Sequence, residues 1–207
     1  MKLLLAIFGT VFLITFLAAP TMGAGWFWDG GNGLGFAAFS GLLYLAITSY
    51  RRIDVQAHRI LGFAVLFIAV AHALWFLLGD AVAVEYIKIG APDYMWLGIA
   101  GLVCLSILVI ISLQPDRQTL HKTYPVFIYW HRVLAVLTIA FCTYHIVVSN
   151  FYLTSWYQAA FFIIVAIAVS FGRTWWIRLG GFPTISPTML LMVTIVFAGL
   201  FSTIRNF

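Results

Sequence analysis

Charge is what this chain lacks. Only 8% of its 207 residues are Asp, Glu, Lys or Arg, and 64% are hydrophobic, where a soluble domain carries about 25% charged residues. That composition excludes a water-soluble globular protein, a disordered chain and a nucleic-acid-binding module. Cysteine is nearly absent as well: Cys104 and Cys142 both fall inside apolar runs, with no CxxC or zinc-ligand spacing, so neither a disulfide scaffold nor a thiol site is indicated. No Gly-rich dinucleotide fingerprint occurs, Gly180 and Gly181 being isolated. No stretch is left over for a soluble catalytic domain.

The remaining class is an all-α integral membrane protein, a single transmembrane domain over residues 1–207 with a mean hydropathy of +1.07. A helix needs about 20 apolar residues to cross the hydrocarbon. Breaks bearing polar residues, Gly or Pro separate apolar runs near residues 3–22, 34–50, 58–78, 95–113, 127–149, 155–172 and 187–204. This reads as a six-helix bundle followed by a seventh, C-terminal span over 187–204. The first run also has the look of a secretory signal, but its apolar stretch is long for one, and it is read as a retained span.

Orientation follows from where Lys and Arg collect. With the N-terminus in the cytoplasm, Lys2, Arg51, Arg52, Arg59, Arg117, Lys122, Arg132, Arg173 and Arg178 lie on the cytoplasmic side, and only Lys88 and Arg205 lie outside. Asp29, Asp80, Glu85 and Asp93 fall outside. The net charge of +5 therefore describes loops beside a lipid membrane, not a nucleic-acid surface. Trp26, Trp28, Trp96, Trp156, Trp175 and Trp176 sit near the interfaces and read as an aromatic belt.

Chemistry is concentrated in four histidines. His58 and His72 lie on the third span, His131 and His145 on the fifth, each pair 14 residues apart. Fourteen residues is just under four helical turns, so each pair shares one helix face at a separation of about 21 Å. The two spans run in the same direction, which sets His58 level with His131 and His72 level with His145. A single histidine in a span is more often a packed core residue. Four that match in spacing, face and depth point instead to ligation, since polar groups in spans are costly and tend to be functional.

No Asp, Glu or Cys accompanies the histidines at either level, which argues against zinc or a di-iron carboxylate centre. Two axial imidazoles holding the iron of a flat macrocycle fit better. The residues flanking the histidines are small or apolar: Leu61, Gly62, Val65 and Ala69 on the third span, Leu134, Ala135, Thr138 and Cys142 on the fifth. Such residues let a macrocycle lie against a helix, though they equally promote plain helix contact. Arg59 and Arg132 each follow a histidine directly, where a guanidinium could pair with haem propionates or simply anchor the span to the cytoplasmic surface. The segments HRILGFAVLFIAVAH and HRVLAVLTIAFCTYH read as an internal repeat. With no CxxCH attachment site, the expected cofactors are two haem b groups held noncovalently.

These residues resemble the ferric-reductase-like transmembrane domain, shared by eukaryotic ferric reductases, NADPH oxidases and the haem-bearing membrane subunit of the bacterial methionine sulfoxide reductase system. The resemblance rests on His58, Arg59, His72, His131 and His145, together with the stretch LGFAAFSGLLYLAITSYRRIDVQAHRILGF, and covers approximately residues 30–175. It implies a membrane cytochrome b that passes electrons from a cytoplasmic donor through an inner and then an outer haem to an acceptor outside, such as ferric iron or a partner reductase. Fused members carry a flavin and nicotinamide domain after the sixth span. Here that position holds RTWWIRLGGFPTISP and another apolar run, so the donor is a separate flavoprotein or a membrane quinol, and any flavin belongs to the partner. The presence of His58 places the chain nearer the two-haem members than the sulfoxide reductase subunit. The setting implied is a bacterial inner membrane.

Two other readings compete. A quinol-linked cytochrome of the b561 type would add a quinone, with Gln56, His121 and Tyr124 as candidate contacts at one membrane edge. A transporter or assembly subunit would use the histidines for protons or divalent metal, and would call for intramembrane carboxylates at helix centres.

Overall fold

A computed structural model describes residues 1–18, 25–48, 55–114, 123–178 and 185–207, and every regular element among them is helical. The helices are α1 (Lys2–Thr15), α2 (Trp26–Thr48), α3 (Val55–Gly79), a 3-10 turn (Ala81–Ile87), α4 (Asp93–Leu113), α5 (Tyr124–Ser149), α6 (Trp156–Phe171), the short α7 (Arg173–Arg178) and α8 (Pro187–Asn206). The protein is an all-α membrane bundle. α2, α3, α4, α5 and α8 are long and apolar enough to cross a membrane. α1 and α6, with 14 and 16 residues, are shorter than the expected spans 3–22 and 155–172. Residues 19–22 of the first expected span, Arg51, Arg52, Arg117, Lys122 and His121 lie outside the described residues.

The early end of α1 is built into the packing. The last carbonyls of a helix have no partner within it, and in lipid each such group must be satisfied by protein. Gln158 Nε2 donates to Ile14 O at 2.8 Å, and Arg205 Nη2 donates to Thr15 O at 2.9 Å. A cation at a helix C-terminus also complements its dipole. α6, meanwhile, opens on a Ser155–Gln158 capping box, so the same Gln158 starts one helix and closes another.

α2 is the centre of the molecule: 72% of its apolar window is buried, against 17–28% for the other candidate spans. Its N-terminal stretch WFWDGGNG reads in sequence as a break, yet it is helical from Trp26. Glycine costs about 1 kcal/mol in a helix relative to alanine, and here close packing outweighs that. A methyl group at Gly33 would stand 2.9 Å from Ala198 Cα, and one at Gly31 would collide with Trp75 and Phe76. Small residues that let backbones approach are the usual basis of helix association in lipid. α8, expected as an appended C-terminal span, is therefore seated directly on α2. It also carries Phe197, whose ring meets Phe8 and Phe12 of α1 edge-on at 5.5 and 5.4 Å.

α2, α3, α4 and α5 close a ring, each packed on the next and α5 back on α2. α3 and α5 consequently stand at opposite corners with no extensive interface between them. α1, α6 and α8 gather on the α2 side. This ring positions the four histidines.

Candidate functional site

The histidine-bearing helices face each other across the ring interior. At the end where α3 and α5 begin, the His58 and His131 ring centres are 6.2 Å apart with planes inclined at 58°. They line a cavity of about 260 Å³ together with Arg59, Arg132, Ser112 and Ser170. The rest of the lining is apolar and comes from α2, α3, α4, α5 and α6, including Leu45, Leu108 and Ile139. His58 Nδ1 is buried with no hydrogen-bond partner among the described residues. Arg59 is half-buried and Arg132 exposed, so both cationic residues of the lining are partly open to the outside of the bundle.

His72 and His145 lie toward the other end of the same helices. Each is tied to a neighbouring helix. His72 Nδ1 lies 2.7 Å from the Gly31 carbonyl of α2, and His145 Nδ1 lies 2.9 Å from the Tyr94 carbonyl of α4. A carbonyl can only accept, so in both rings Nδ1 carries the hydrogen and the Nε2 lone pair is left available. Metal-binding histidines are commonly oriented by such a bond.

His58 and His131 thus meet in space, and His72 lies at the same end of the bundle as His145. The flanking residues divide differently. Gly62 and Ala135 line the cavity, whereas Val65 lies against α2 at Gly41 and Cys142 against α4 at Gly101, so these two face neighbouring helices. Thr138 is fully buried and turns its hydroxyl back to Leu134 O at 2.8 Å. Among the described residues no three His, Cys, Asp or Glu side chains converge into a metal-binding cluster. Tyr124 and Gln56 are exposed at the His58 end.

Residues 55–142 match the family model of the ferric reductase like transmembrane component. The chain carries a ferric-reductase-like transmembrane segment. That segment runs from the first residue of α3 into α5, inside the 30–175 stretch of the resemblance, and includes His58, Arg59, His72, His131 and Arg132. It stops at Cys142, before His145. No curated protein and no solved structure matches the chain.

Sequence reasoning missed a second polar cluster, beside the His72 end. Asp29 and Arg205, read from the sequence only as charges on the outer side, are both buried, at 0% and 7% exposure. Asp29 accepts from Tyr152 and Asn206, and the Arg205 guanidinium lies 4.5–4.6 Å from the ring centres of Phe16, Tyr152 and Phe201. The available signal was a charge at each end of an apolar run, which resembles an interfacial anchor.

Proposed function

We propose that the chain is a membrane cytochrome b subunit that carries electrons across the bilayer through two bis-histidine haem b sites. His58 and His131 hold one haem, and His72 and His145 hold the other. The observation that carries this reading is the 6.2 Å between the His58 and His131 ring centres, on two helices that face each other without packing. Two metal–imidazole bonds of about 2 Å each, extended to the ring centres, need roughly 6 Å. The residues therefore fit the group. The match to the ferric reductase like component supports the same chemistry.

Bound haem supplies one-electron oxidation and reduction. The chain's own residues do the rest. The four imidazoles hold iron from opposite helices. Arg59 and Arg132, which line the cavity, would neutralise carboxylates of a group bound there. The apolar lining excludes water. With the N-terminus in the cytoplasm, a haem held by His58 and His131 would face a cytoplasmic flavoprotein or a membrane quinol as donor, and one held by His72 and His145 would face ferric iron or a partner reductase outside.

The purified chain tests this directly. A Soret band that sharpens on dithionite reduction, with two b haems per chain by pyridine haemochrome assay, is expected. A colourless protein from cells supplied with haem would overturn the reading and favour protons or divalent metal at the histidines.

A further inference from the structure

We infer that Gly35 and Gly98 are positioning residues that, with the Gly31 and Tyr94 carbonyls, set the orientation of the His72 and His145 imidazoles; this rests on the haem reading above. The two imidazoles are held by one device used twice. In each case the accepting carbonyl is followed four residues later by a glycine: Gly31 by Gly35 on α2, Tyr94 by Gly98 on α4. Within a helix the carbonyl of residue i already receives the N–H of residue i+4, so only its second lone pair is open. A ring that reaches this lone pair lies over residue i+4, where a side chain would begin.

The geometry leaves no room for that side chain. A methyl at Gly35 would stand 2.8 Å from His72 Cε1 and 2.9 Å from Nδ1, and a methyl at Gly98 would stand 2.9 Å from His145 Nδ1. The pairs α2–α3 and α4–α5 thus repeat one seat. The His58 level is different. Gly62, on the same helix, meets no imidazole, its nearest neighbour being Val109 at 3.9 Å.

An Nδ1–H bond to a carbonyl fixes the ring plane and strengthens Nε2 as a donor, and losing such support costs about 10–100-fold in metal affinity. The test uses the purified full-length chain carrying Gly35→Ala or Gly98→Ala. Its readouts are low-spin ferric EPR signals and a redox titration. Each variant should shift the signal of one haem, raise that haem's midpoint potential or weaken its binding about 10–100-fold, and leave the other haem unchanged. Gly33→Ala, which crowds α8 and not α3, should disturb neither signal. Unchanged spectra in both variants, or equal disturbance of both haems, would overturn the assignment.

A stability cycle covers the case in which a variant fails to fold. Gly35→Ala should cost little once His72→Ala has removed the ring, because the penalty belongs to that contact. If the double variant is as damaged as Gly35→Ala alone, the methyl is not meeting the imidazole and the inference fails. A wild-type chain without haem would instead remove the proposed function on which the inference stands.

Discussion

The Tyr152 hydroxyl donates a 2.7 Å hydrogen bond to Asp29 Oδ1, tying the α5–α6 connection to the first turn of α2. Asn206 Nδ2 donates to the other carboxylate oxygen at 2.8 Å, and Asn32 Nδ2 reaches the Tyr152 hydroxyl at 3.2 Å. Arg205 supplies the opposing charge from α8 while capping α1. A buried carboxylate is tolerated when it is hydrogen-bonded and electrically matched. This group clamps α1, α2, α8 and the α5–α6 connection together beside His72.

Removing either side of the clamp should destabilise the protein by different amounts. Tyr152→Phe leaves one carboxylate oxygen without its donor and should cost about 1–3 kcal/mol. Asp29→Ala leaves both the Tyr152 hydroxyl and an Asn206 N–H without their acceptor and removes the carboxylate that Arg205 feels, so it should cost more, about 2–6 kcal/mol for the two hydrogen bonds. Adding Arg205→Leu to Asp29→Ala should restore part of that loss, because the uncompensated charge is gone. Thermal unfolding in detergent reads all three. An Asp29→Ala variant as stable as the parent would show that the carboxylate contributes no clamp.

The histidine spacing was legible in the sequence because helical periodicity is rigid: 14 residues fix both face and rise, and His58 and His131 do meet. The N-terminal part of α2 was not legible. Four glycines among residues 30–35 look like a loop by propensity, and only the surfaces of Trp75, Phe76, Ala198 and His72 explain why the helix keeps them. The burial of Asp29 and Arg205 was not legible for a related reason. Their partners, Tyr152, Asn206 and Thr15, lie far away in the chain, and no local pattern announces such pairings. α1 ends early for the same reason, its final carbonyls being taken by Gln158 and Arg205.

Tyr152 also predicts a pH dependence. Burial, reinforced by its hydrogen bond to Asp29, pushes the Tyr152 phenol above its ordinary value. A group whose pKa is raised by folding contributes stability that is complete below its unfolded value, about 10 for tyrosine, and that is lost as pH rises from there toward the folded value. The stability gap between the parent and Tyr152→Phe should therefore be constant near neutrality and shrink above about pH 10. Unfolding curves recorded from pH 7 upward check this. A gap that widens in alkali would mean the folded state prefers the phenolate.

Orientation gives a separate test. With the N-terminus in the cytoplasm, the order of spans read from the sequence puts nine of the eleven Lys and Arg residues on the cytoplasmic side, where such residues collect. A reporter at the N-terminus should therefore read cytoplasm, one in the 150–155 connection should read the exterior, and one at the C-terminus should read the exterior. Cytoplasmic signals at both termini would mean that α8 does not cross, or that α1, about 21 Å long by helical rise, does not.

Which histidines act together is decided by removing them singly. α3 and α5 face each other across the ring, so each haem should bridge the two helices instead of two histidines on one helix. The two levels are about 21 Å apart by helical rise, far enough for the loss of one imidazole to leave the other level intact. His58→Ala and His131→Ala should lose the same haem, and His72→Ala and His145→Ala should lose the other, as read by haem content and by the number of low-spin EPR signals. All four should stop transfer to an outside acceptor, because crossing requires both levels. Only the His72 and His145 variants should keep a haem that is reducible from the cytoplasmic side. A histidine that merely packs would lower thermal stability without selecting one haem. If His58→Ala and His72→Ala removed the same haem and spared the other, the ligands would be paired along α3, and the cross-ring arrangement would be wrong.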